Sequence, residues 1–96
     1  LMRPASEGNV KLWVQCASAA RQLKDLELTE SCGEAVMKYG TADDRYELLW
    51  NLAVLYKEKG MDQKGMEAKE QLRSLLKELA VNSYWYEHNR HAIEQL

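Results

Sequence analysis

Leu48-Leu49-Trp50-Asn51-Leu52-Ala53-Val54-Leu55-Tyr56-Lys57-Glu58-Lys59-Gly60 is the stretch that decides the fold class. It has a bulky start, one small residue at Ala53, an aromatic at Tyr56 and a glycine stop. Apolar side chains recur every three to four positions, the period of an amphipathic helix. A second helical pattern follows after almost no gap, so the two must fold back on each other as a tight helical hairpin. Helical hairpins of this kind stack to display a surface rather than to hold reactive groups.

Outward from that stretch, the rest of the chain reads the same way. The spacing predicts a first helix from Asn9 or Val10 to Leu23, with Leu12, Trp13, Cys16, Ala17, Ala20 and Leu23 on its apolar stripe. A second helix starts with Asp25 as N-cap and turns Leu26, Leu28, Cys32, Ala35, Val36 and Tyr39 inward. Gly33, inside that helix, costs about 1 kcal/mol against alanine, and close helix packing is the plain explanation. Gly40 stands where a left-handed residue beyond the helix end is wanted, and Thr41 with Asp44 has the spacing of a capping box. The third helix then covers Ala42 to Lys59 and buries Leu48, Leu49, Leu52, Leu55 and Tyr56. Asp62 is expected to cap a fourth helix running to Ala80 through Gly65, Met66, Leu72, Leu75, Leu76 and Leu79. Asn82 or Ser83 caps a fifth, toward Leu96. Residues 1–8 mix Pro4, Ser6 and Gly8 without periodicity and read as a flexible leader, leaving 9–96 as one all-α domain.

Composition narrows the function classes. Ninety-six residues suit one domain, and a net charge of −2 points to neither nucleic acid nor an anionic membrane. The bases between Lys57 and Glu78 are interleaved with acids, as on a solvated helix face. No run approaches the roughly 20 apolar residues of a membrane span, and no signal peptide is visible. Cys16 and Cys32 read as buried reduced thiols, which fits a cytoplasmic chain, although a disulfide between the first two helices is open in geometry.

An internal repeat links the two halves. Leu12-Trp13 and Leu49-Trp50 lie 37 residues apart, and the same offset pairs Cys16 with Ala53 and Asp25 with Asp62. A period of this length with two helices per unit is the mark of a helical solenoid. The second unit, Glu47 to Leu79, resembles the tetratricopeptide repeat: Leu49-Trp50, Leu52, the small Ala53, Tyr56, the turn glycine Gly60 and the small Gly65 stand at that family's spacings. The first unit, Val10 to Tyr39, matches less well, with Ala19 or Ala20 in place of the usual aromatic and Leu23 in place of the usual glycine. The proline that often closes a repeat is missing from both. The resemblance implies about two antiparallel helical hairpins plus a C-terminal capping helix. It also implies a groove, lined by the first helices, that holds a peptide or a partner helix. Asn51 stands at one position of the version that clamps acidic C-terminal tails, but Trp13 and Ala17 fall where other clamp residues belong, and the full clamp is not supported.

Reactive constellations are not legible. His88 and His91 share one helix side without a third ligand, so no metal or other cofactor is expected. There is no phosphate loop and no nucleophile motif, so an enzyme is not expected. Tyr84-Trp85-Tyr86 cannot all face one core from a helix, so at least one ring is expected at the surface. The expected function is a protein–protein interaction module. Lys11, Gln15, Arg45, Asn51 and Tyr56 are the groove candidates, and Tyr84 and Tyr86 form an end surface. The alternative is an oligomerisation or capping segment of a larger scaffold, a homodimer formed through Leu72, Leu75, Leu76 and Leu79.

Overall fold

The computed structural model describes residues 9–96, so the predicted leader at 1–8 lies outside the described residues. Five helices follow one another: α1 Val10–Gln22, α2 Leu26–Tyr39, α3 Ala42–Glu58, α4 Asp62–Leu79 and α5 Ser83–Glu94. No strand occurs among the described residues. α1 packs on α2 and α3 on α4, each pair joined by three residues; α3 also leans on both α1 and α2, while α5 lies on α4. Side chains fix the relative direction of α1 and α3. Lys11 meets Asp44 near the start of both helices, and Arg21 meets Asn51 further along both, so α1 and α3 run the same way.

Both hairpins turn by the same backbone motif. After α1, the N–H groups of Lys24 and Asp25 donate to the carbonyls of Arg21 and Ala20; after α3, those of Gly60 and Met61 donate to Lys57 and Tyr56. This pattern needs a left-handed residue just past the helix. Gly60 supplies it at φ 69°, as its place in the sequence implies, whereas the first turn uses Lys24 at φ 60°. The turns therefore align at an offset of 36, one less than the offset of the tryptophans. That slip corrects one expectation: Asp25 does cap α2 through the Leu28 N–H, but Met61 occupies the matching place before α4, and Asp62 lies inside the first turn.

Gly40 is a second correction. Its backbone is extended, not left-handed. Glycine is needed there for space, because a Cβ would stand 2.5 Å from the Val36 carbonyl oxygen. The next residues behave as predicted. Thr41 caps α3 and Asp44 completes the box, its Oδ2 accepting from the Thr41 N–H at 3.0 Å.

Asp44 is also buried and accepts from the Lys11 ammonium, which with the Thr41 donors holds its carboxyl below the ordinary value of 3.8 against the opposing effect of burial. The folded carboxyl is thus the stronger acid. Its contribution to stability is whole above the ordinary carboxylate range and is lost as pH falls through the lowered value. The Lys11 contact is the larger cause of the lowering, although solvent screens its exposed ammonium, and the Thr41 cap adds to it. Asp44→Asn should cost about 1–2 kcal/mol at neutral pH. It should also flatten the loss of stability below pH ~4, both measurable by urea unfolding across pH.

The core forms two clusters separated by α3. Val10, Val14, Ala17, Cys32, Val36 and Leu48 make the first; Leu49, Ala53, Tyr56, Ala68, Leu72, Leu75, Leu76 and Ile93 make the second. Consecutive residues Leu48 and Leu49 point to different clusters, since neighbours on a helix diverge by about 100°. Leu12 and Leu23, expected on the inner stripe of α1, are 65% and 77% exposed, and Leu28 and Met66 are also exposed. Leu23 lies past the end of α1. Leu12 lies on the side away from α3, because Val10, Val14 and Ala17 already fill the narrow contact there. Cys16 and Cys32, expected as reduced thiols, are joined across α1 and α2 with Cα atoms 6.2 Å apart.

Candidate functional site

Two adjoining depressions meet over α3. Leu48, Leu52 and Tyr56 recur every fourth residue and therefore form one stripe along that helix. They floor a trough whose walls are α2 on one side and α4 on the other. Gly33 and Met37 line the α2 wall, with Ala68 and Gln71 on the α4 wall. Gly33 brings the α2 wall close onto the floor: Leu48 approaches so closely that an added Cβ would stand 2.9 Å from its Cδ1.

A polar bridge shuts one end. The Tyr56 hydroxyl donates to Glu30 Oε2 at 2.7 Å, and the Lys64 ammonium reaches the same oxygen at 3.5 Å. Lys64 also lies 5.8 Å from the centre of the Tyr56 ring. Burial, reinforced by the Glu30 carboxylate, pushes the Tyr56 phenol well above its ordinary value, so it remains a donor at neutral pH. From Glu30 to Met37 and from Lys64 to Gln71 are equal lengths of helix, seven steps each, or about 10 Å at about 1.5 Å per residue. The trough is thus as long as two turns of a helix. Its mouth carries the exposed charges of Glu34, Lys38 and Glu67, while Met37 and half-buried Leu52 present apolar surface between them.

The sequence-predicted candidates do not gather there as one set. Tyr56 does, as floor and end wall. Asn51 is only 5% exposed, its Oδ1 accepting from Arg21 Nε at 2.9 Å, so it ties α3 to α1 instead of facing a ligand. Lys11 and Gln15 stand exposed on α1, with Lys11 engaged by Asp44. Arg45 is half-buried, with a buried Nε that has no hydrogen-bond acceptor. Tyr84 is 81% exposed and stacks on His88, which meets the expectation that one of the three consecutive aromatics lies at the surface; Trp85 and Tyr86 pack partly against the second core cluster.

The leucine stripe offered for pairing two copies is used inside the chain. Leu72, Leu75 and Leu76 are buried in the second cluster and Leu79 is half-buried, so this face is not available for self-association.

Met37, Glu34 and Ala68 were missed by sequence reasoning because each is unremarkable on its own helix. The available signal was the fourfold spacing of Leu48, Leu52 and Tyr56, one residue offset from the stripe that packs on α4.

Among the described residues, no group of three or more His, Cys, Asp or Glu is placed to hold a metal ion. Nor is any helix among them long and apolar enough to cross a membrane. No protein-family model matches this chain, and neither a curated protein nor a solved structure matches it with significance.

Proposed function

We propose that this chain is a protein–protein interaction module similar to tetratricopeptide repeats, and that it takes a short amphipathic helix or peptide of a partner into the trough between α2 and α4. The observation that carries the proposal is the trough itself: an apolar floor from one helix, small residues in the walls, and charged side chains only at the rim. That is the layout of helix-in-groove recognition, in which one or two apolar anchors enter and polar groups set the register. The same-direction run of α1 and α3 and the shared turn motif support the repeat character. The groove is displaced from the place implied by the resemblance. Its walls are the second helices of the two hairpins, while α3, the first helix of the second hairpin, supplies the floor.

The rim selects the partner's charge. Lys64 is already engaged by Glu30 and Lys38 lies over the Tyr39 ring, whereas Glu34 and Glu67 face solvent from opposite walls. A partner segment with a leucine or methionine anchor flanked by Lys or Arg fits this pattern.

Helical peptides selected for binding from a displayed library test the reading. Met37→Glu places a charge at the mouth and should weaken such peptides at least tenfold, about 1.4 kcal/mol, with helicity unchanged. Tyr84→Ala and Lys11→Ala should leave the affinity within about twofold, since neither residue lines the trough. Binding that falls with Tyr84→Ala and survives Met37→Glu would move the site to the end surface.

A further inference from the structure

Cys16 and Cys32 close the first hairpin covalently, and their Cα separation of 6.2 Å lies within the span that a disulfide bridges. The two cysteines differ in burial. Cys32 is 2% exposed within the first core cluster, whereas Cys16 is half-buried at its edge. That cluster is thin. Valine, alanine and cysteine side chains dominate it, with Leu48 its largest member, while the second cluster holds Leu49, Tyr56, Leu72, Leu75, Leu76 and Ile93. Hydrophobic stabilisation follows buried apolar area, so the first hairpin is the weaker half and a covalent tie matters more there.

We propose that the Cys16–Cys32 disulfide is a reversible redox lock on the first hairpin: closed, it holds α2 on α1; opened by a thiol of the glutathione class, it lets that hairpin open while the second stays folded. The attacking thiolate reaches Sγ of Cys16, the less buried of the two residues. The S–S bond breaks with its electron pair on Cys32 Sγ, which takes up a proton. A second thiol then attacks the mixed disulfide, leaving both cysteines reduced and one oxidised disulfide of the reductant. Closing runs the same exchange backward, with that small-molecule disulfide as oxidant. Nothing in the lock depends on what the trough binds.

The bridge spans 16 residues of sequence. Closing a loop of about that length shifts an opening equilibrium by roughly a hundredfold. The test is amide hydrogen exchange by mass spectrometry on the whole chain, equilibrated either with oxidised glutathione or with a reductant, together with a count of alkylatable thiols. The lock predicts no free thiol under oxidant and two under reductant. Exchange in Val10–Gln22 and Leu26–Tyr39 should be about a hundredfold faster when reduced, with far less change in Asp62–Leu79. A Cys16→Ser, Cys32→Ser variant should exchange like the reduced chain under both conditions. If that variant does not fold, the two redox states of the natural chain carry the comparison. Two free thiols under oxidant, or equal exchange of α1 and α2 in both states, would overturn the proposal.

Discussion

Replacing Leu48 by alanine should destabilise the chain by about 2–5 kcal/mol, the cost of a cavity at a fully buried leucine. Leu48 is 1% exposed and is the side chain by which α3 enters the core between α1 and α2. Total stability in a domain of this size is about 5–15 kcal/mol, so the loss is a large share. It should fall mainly on the contact between the hairpins. The partner of this residue is Gly33, and the pair makes a sharper prediction than either alone. Gly33→Ala brings a Cβ to within 2.9 Å of Leu48 Cδ1, which forces the leucine aside in a packed site. Overpacking of that kind costs about 1–3 kcal/mol, offset by about 1 kcal/mol of gained helix propensity. In the Leu48→Ala background the obstruction is gone and only the propensity gain remains. Gly33→Ala should therefore be neutral or stabilising there, a coupling that a double-mutant cycle by chemical denaturation reads directly. Simple additivity of the two changes would mean that Gly33 is not shaped by Leu48.

Ile93→Ala should release α5 while leaving the other four helices in place. Ile93 is the one fully buried residue of that helix, and α5 makes its main contact with α4 alone. Removing its branched side chain should again cost about 2–5 kcal/mol, but locally. Polar ties at the helix end remain: Arg73 pairs with Glu94, and Lys57 and Lys69 donate to the carbonyls of Gln95 and Leu96. These are surface contacts, each worth about 1 kcal/mol or less, and cannot hold the helix without the isoleucine. Amide exchange in Ser83–Glu94 should rise by more than tenfold and Trp85 emission should shift to the red. Val10–Gln22 and Ala42–Glu58 should keep their protection. Loss of protection across all five helices would show instead that α5 is integral to the core.

The two substitutions separate what the sequence makes legible from what it hides. The five helices, the box of Thr41 and Asp44 and the helix stop at Gly60 follow from local rules, because each depends on residues within one or two turns. Errors arise where several helices compete for one residue. Leu12 and Leu23 have the right period for burial, but the contact of α1 is narrow and already filled by valine and alanine. Asn51 looks like a surface amide and is buried, because Arg21, thirty positions earlier, satisfies it. Tyr56 is buried as its spacing implies, but its hydroxyl partner Glu30, twenty-six positions away, is not legible. The trough has no local signature, since its floor and two walls come from three helices. That α2 and α4 wall it could not be read before the relative placement of the helices was known.

The most direct test of the trough as the binding site is methyl NMR shift mapping with a selected helical peptide on the whole chain. The account predicts that the largest shifts fall on the Met37, Leu48 and Leu52 methyls, with those of Leu12, Leu23 and Leu28 unmoved. Shifts concentrated on Leu12, Leu23 and Leu28, with Met37 and Leu52 unchanged, would contradict it and place binding on the outer face of the first hairpin.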